Sequence, residues 1–182
     1  MSISGHKIYG PKGIGGLIVR EDLPLVPLQW GGGQEGDLRP GTIPVPLVVG
    51  FAKAIEIAIR DVSDNQKKFS LLRNRWWDIL QDKIPNLLLN GSIDCRLPHN
   101  LNITVLGVKG NRLHSELRSL ISCSSGSACS NGSPSHVLLA LGRTQEQTSA
   151  SLRLSIGKDT NIHNIELAAK NLENVISRLR SK

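Results

Sequence analysis

The sequence predicts an α/β chain whose larger part is a small α+β domain, a short sheet covered by helices. Three observations lead there. From about residue 62 onward, strand-like runs alternate with amphipathic helical segments, the order of a small sheet packed under helices. Hydrophobic residues make up 39% of the 182, enough for a core, while aromatics are only 3%, so that core must be built from Leu, Ile, Val and Ala. The length fits one domain, or one domain plus part of another. No apolar run approaches the roughly 20 residues of a membrane-spanning helix. The N-terminus also lacks the apolar stretch of a secretory signal, so a soluble, cytoplasmic protein with no membrane partner is expected.

The elements follow in order. "GGLIVRED" at 15–22 reads as a short strand running into a turn. Residues 23–46 hold several prolines and the run Gly31-Gly32-Gly33, which makes them a loop or linker. A helix is expected from Pro46, a suitable first-turn proline, with Val48, Val49, Ala52, Ile55 and Ile59 on one face. A second helix is expected over 64–83, with Phe69, Leu72, Trp76 and Ile79 inward, ending before Pro85. "NLLLN" at 86–90 and "NLNITVLG" at 100–107 read as strands; in the latter Leu101, Ile103 and Val105 alternate with Asn102, Thr104 and Leu106. A helix over 111–120 precedes a small-residue loop containing Cys129. Ser133-Pro134 then suits the N-cap and first turn of a short helix ending at Gly142. "SLRLSIG" at 151–157 is strand-like, and Thr160 can cap a last helix with the stripe Ile162, Ile165, Ala169, Leu172, Ile176 and Leu179. The domain boundary implied is 1–61 and 62–182.

Charge and cysteine content remove several function classes. The net charge of +7 invites a nucleic-acid reading. However, the densest basic stretch, "KKFSLLRNRWW" at 67–77, carries its apolar residues at helical spacing and its charges opposite, which describes a surface helix; no nucleic acid is expected. Cys95, Cys123 and Cys129 are odd in number and lack CxxC spacing, so neither a disulfide framework nor a structural zinc site is indicated. What remains for each is a reactive thiol or a small buried hydrophobe. His99, His114 and His163 have no partner at ligand spacing and read as surface or capping residues.

Two stretches call for chemistry. "SGHKIYGPKGIG" at 4–15 crowds Lys7 against glycines at 10, 13 and 15, and "SSGSACSNGSPSH" at 124–136 sets Cys129 among small polar residues. With "GGGQEGDLRPGTIPVPLVVG" and "LRLSIG" they form successive blocks, from Ser4 to about Gly157, that resemble the NifS/IscS-like cysteine desulfurases. Those are class-V pyridoxal-phosphate (PLP) enzymes that take sulfur from L-cysteine for iron–sulfur cluster assembly. The resemblance implies a fold-type-I PLP-dependent transferase, of which this chain carries the C-terminal part: a remnant of the large domain with its linking helix over 1–61, and the small domain over 62–182.

It also implies roles. Lys7 matches the lysine that forms the Schiff base with PLP, an amine whose pKa the site must lower by burial and nearby charge before it can attack an aldehyde. Ser4 and His6 match phosphate-binding partners, and Thr42 in "RPGT" matches the threonine that reaches the PLP phosphate, usually of the neighbouring subunit in a homodimer. Cys129 matches the catalytic cysteine whose thiolate takes the sulfur. Arg153 matches the arginine that holds the substrate carboxylate, a task suited to a planar guanidinium with two parallel donors. No metal is expected in the resting enzyme, although Cys129 could ligate a transient iron–sulfur cluster. For Cys95 and Cys123, which match no motif, a buried structural role is expected. One block departs from the family's pattern: Gly36-Asp37 stands where an Arg-Gly pair is expected, while Arg39 is kept.

The family's remaining cofactor contacts, an aspartate for the pyridinium nitrogen and a stacking histidine, precede the lysine, where this sequence has six residues. The expectation is therefore a partial cysteine desulfurase. It would lack the N-terminal half, act on L-cysteine, and pass sulfur to an iron–sulfur scaffold or another acceptor protein. The alternative is a non-catalytic fragment, a small-domain module docking a scaffold or sulfur carrier through the Cys129 loop.

Overall fold

The computed structural model describes residues 1–124 and 134–181, and the chain divides into two compact units, Met1–Ser63 and Asp64–Lys182. In the second unit the alternating strand "NLNITV" forms the middle of the sheet. Strands β3 (Leu87–Leu89), β4 (Asn100–Val105) and β5 (Ser151–Ser155) are antiparallel in the order β3-β4-β5. Register pairs Leu89 with Ile103, and Ile103 in turn with Leu152. Because side chains alternate across a strand, Leu101, Ile103, Val105, Leu152 and Leu154 share one face, and all are essentially inaccessible to solvent. The helices α1 (Val45–Lys83), α2 (Gly110–Leu117) and α5 (Ile162–Arg180) complete the core on this face through Leu72, Trp76, Leu80, Leu113, Leu172 and Ile176. Two short helices, α3 (His136–Ala140) and α4 (Gln145–Ser149), lead into β5.

Several local expectations are corrected. The two helices expected on either side of residue 62 are one helix of 39 residues. Asp61, Ser63, Asp64 and Asn65 are weak helix formers, but no Gly or Pro interrupts the chain between Gly50 and Pro85, so nothing stops propagation. Ser133 lies outside the described residues, and the cap of α3 is Ser135, whose hydroxyl accepts from Leu138 N. Asn161, not Thr160, caps α5: Asn161 and Asn164 exchange side-chain to backbone bonds of 3.0 Å. Thr160 instead accepts from Gly157 N and closes the preceding turn. The buried stripe of α5 includes Val175, while Ile162 at the helix start is exposed. The helix α4 was not anticipated, although Thr144-x-x-Gln147 forms a capping box at its start. Gly110 opens α2 where a Cβ would come within 2.1 Å of the Ser149 carbonyl oxygen, so the close approach of α2 to α4 requires glycine there.

The first unit is built differently. Strands β1 (Ser2–Ser4) and β2 (Gly15–Leu17) form a two-stranded antiparallel ribbon, with a 3₁₀ turn over Gly5–Ile8 between them. Its only buried residues are Gly5 and Ala54. Leu17, Leu28, Trp30, Val49 and Ile59 are all more than 60% exposed. Of the apolar face expected on the first half of α1, Val48, Val49, Ala52 and Ile59 are exposed and Ile55 is partly buried. A two-stranded ribbon without a packed face is marginal by itself.

Candidate active site

Lys7 sits on the 3₁₀ turn that follows β1. Gly5 makes that turn possible: it is buried, and a Cβ there would meet the Pro11 carbonyl at 2.8 Å. Gly5 N donates to Ile14 O at 2.9 Å and Gly10 N to Gly5 O at 2.9 Å, closing the loop at both ends. Tyr9 ends the turn in the left-handed region (φ 64°). The turn brings Ser4, His6 and Lys7 together, with His6 and Lys7 exposed and the Ser4 hydroxyl not used as a cap. The burial expected around Lys7 is therefore not supplied by this chain.

Thr42 is also exposed in the first unit, directly after the 31–41 loop. That loop is closed by its own residues: Gly41 N donates to Gln34 Oε1 at 3.1 Å, and the Arg39 guanidinium donates to Pro40 O. Three consecutive residues, Glu35, Gly36 and Asp37, adopt positive φ. Asp37 thus holds a left-handed position at φ 65° where the resemblance expects glycine, a conformation that Asp tolerates better than most residues.

Arg153 lies in the second unit, in the middle of β5, paired with Asn102 of β4. It points to the sheet face opposite the core, together with Asn102, Thr104 and Ser151. On its other side β5 pairs with Ser124: Arg153 N donates to Ser124 O at 2.7 Å, and Ser124 N to Arg153 O at 3.2 Å. The residue five positions before Cys129 is thus tied to the backbone of Arg153. Cys129 itself lies outside the described residues. The half-buried Arg153 guanidinium has no hydrogen bond or ion pair to any described residue.

This polar face holds a network that sequence reasoning missed. Asn90, directly after β3, is buried and donates from Nδ2 to Asn102 Oδ1 (2.7 Å), Thr104 Oγ1 (3.0 Å) and Ser151 Oγ (3.3 Å). Its Oδ1 accepts from Arg143 Nε at 2.6 Å. Arg143 Nη2 also donates to Leu89 O, and Arg96 Nη2 to Asn90 O. Burial lowers the pKa of Arg96, with repulsion from Arg73 a smaller cause. The available signal was a pair of asparagines, 90 and 102, inside otherwise apolar strand runs.

Of the other two thiols, Cys95 departs from the expected burial and Cys123 meets it only in part. Cys95 is exposed, on a turn in which Ser92 Oγ accepts from the Asp94 and Cys95 amides. Cys123 is half-buried against the core, and that burial pushes its thiol pKa up. His114 is half-buried too, with a buried Nε2 that has no partner among the described residues, so it is neither a surface nor a capping residue. Burial lowers its pKa, partly offset by the backbone of Ser149 and Ser151.

A model of the class-V aminotransferases matches residues 1–167. The chain belongs to this family. Among curated relatives it is 40% identical over 184 residues to "Cysteine desulfurase, mitochondrial" of Drosophila melanogaster, covering 99% of this chain and 40% of the relative. It is 42% identical to "Cysteine desulfurase IscS" of Enterobacter sp. (strain 638), covering 99% of this chain and 45% of that one. Among solved structures it resembles a "NifS-like protein" with a TM-score of 0.86 at 31% identity, covering 98% of this chain and 46% of the other. The class-V chain thus spans less than half the length of each of these relatives. Members of the family use PLP, and the turn after β1 carries groups suited to an aldehyde-bearing phosphate ester: an exposed amine at Lys7, a hydroxyl at Ser4 and an imidazole at His6.

Proposed function

We propose that this chain is the C-terminal part of a cysteine desulfurase that converts L-cysteine to L-alanine and leaves the sulfur as a persulfide on Cys129. The observation that carries the reading is about 40% identity over nearly the whole chain to relatives named cysteine desulfurase; the motif blocks around Lys7, Cys129 and Arg153 support it. Lys7, Ser4 and His6 would hold PLP, which when bound supplies the electron sink, and Thr42 would reach the phosphate in the neighbouring subunit. Arg153 takes the substrate carboxylate with two parallel N–H donors. Lys7 Nζ, once released, moves the Cα proton. The Cys129 thiolate attacks the substrate sulfur: the S–S bond forms, the substrate Cβ–S bond breaks, and its electron pair and a proton remain with the carbon skeleton as alanine. The reading includes homodimerisation of the complete enzyme and transfer of the persulfide sulfur to an iron–sulfur scaffold or other acceptor in the cytoplasm. The exposed Lys7 and the uncovered apolar residues of the first unit support a need for the rest of the relatives' length.

The test is complementation. The isolated chain is expected to release alanine poorly, and addition of the N-terminal half of a relative is expected to restore release. In that mixture Cys129→Ser should abolish the persulfide while PLP retention through Lys7 persists. Turnover by the isolated chain at the rate of a full-length relative, or a persulfide mapped by mass spectrometry to Cys95 or Cys123, overturns the proposal.

A further inference from the structure

We infer that Asn102 is a second carboxylate-binding residue, donating from Nδ2 beside Arg153 to the same α-carboxylate of a small amino acid, with its polarity set by Arg143 through Asn90. The inference rests on the assignment of Arg153 to the substrate carboxylate and adds a residue to it.

Hydrogen-bond polarity carries the argument. Arginine donates and never accepts, so the atom of Asn90 that meets Arg143 Nε at 2.6 Å must be the amide oxygen. The other end of the Asn90 amide is then its NH₂ group, which lies 2.7 Å from the Asn102 side chain. Asn102 must answer with its own oxygen. Its NH₂ group is thereby turned away from Asn90, and it has no partner among the described residues. Arg143 thus fixes, through two amides, a donor at position 102.

Register places that donor beside Arg153. The backbone N and O of Arg153 are spent on Ser124, on the outer side of β5. The pair Asn102–Arg153 is therefore a non-hydrogen-bonded pair of the antiparallel ladder, the kind in which Cα atoms approach to about 4.5 Å and side chains are closest. Two half-buried donor groups, one of them charged, stand together on one face. Arg96 and Arg143 add positive charge beside them, and no described carboxylate pairs with any of the three arginines. Donors without an acceptor, in a positive field, fit an anion that takes bonds from both.

The test uses the ¹⁵N-labelled chain reconstituted with PLP and the N-terminal half of a relative, with L-alanine as the probe and L-alanine methyl ester, which has no carboxylate, as control. The Arg153 Nε–H and Asn102 Nδ2–H₂ signals, identified with Arg153→Lys and Asn102→Ser variants, are followed during titration. Both are expected to shift with a single common midpoint, and neither with the ester. Serine at 102 still offers Asn90 an oxygen but is too short to reach the ligand, so Asn102→Ser should raise the midpoint for the Arg153 signal about tenfold while the Asn90 amide signals stay in place. If Arg153 responds and Asn102 does not, the inference falls and the role of Arg153 stands. If neither responds, the assignment of Arg153 falls, and the inference with it.

Discussion

Replacing Asn90 with Leu would test whether the polar face of the sheet is a cooperative part of the fold. The leucine has the same branched shape and number of side-chain heavy atoms but removes every side-chain bond that Asn90 makes. The hydroxyls of Thr104 and Ser151 keep each other at 2.7 Å, and Ser151 keeps Gln147 O at 2.8 Å, so they lose little. The loss falls on Asn102 Oδ1, about 1 kcal/mol for a neutral bond, and on Arg143 Nε, about 2 kcal/mol for a charged donor left short of its acceptor. Together that is about 3 kcal/mol, a large share of a domain's marginal stability. For a unit the size of Asp64–Lys182, each kcal/mol moves the melting point by about 4 °C, which gives a drop of about 12 °C. Thermal unfolding followed by far-UV circular dichroism and by the fluorescence of Trp76 and Trp77 measures it. A drop below about 4 °C would show that the amide network contributes little, and the polarity relay through Asn90 would lose its physical basis.

Two further outcomes follow from burial. His114 is held neutral by desolvation in the folded state, so the unfolded chain binds more protons below its ordinary pKa of about 6.5. Stability should be full above that pH and fall as pH drops through the lower folded-state value, seen as a falling urea midpoint that His114→Phe makes flatter; equal slopes for the two proteins would refute it. Iodoacetamide at pH 8 should modify exposed Cys95 at least about tenfold faster than Cys123, whose thiol burial keeps protonated, as peptide mapping can show; equal labelling rates would contradict this.

Much about this protein was set by local pattern and could be read without coordinates. The alternation in "NLNITV" placed Leu101, Ile103 and Val105 in the core because strand side chains repeat every two residues whatever the surroundings. The 3.6-residue period likewise marked Ile165, Ala169, Leu172 and Ile176 on α5. The motif blocks around Lys7 and Arg153 identified the family because such chemistry demands particular residues at particular spacings. Cap positions shifted by one or two residues, since Ser133, Ser135, Thr160 and Asn161 all carry capping side chains and only the path of the backbone selects among them. The Asn90–Arg143 network was out of reach for a different reason. Its members are 53 residues apart in sequence and meet only because β3 and the segment after α3 converge on one sheet face. The exposure of Lys7, and of the apolar stripe Val48, Val49 and Ile59, was equally a tertiary matter: periodicity shows which face of a helix is apolar, but only packing decides whether anything covers it.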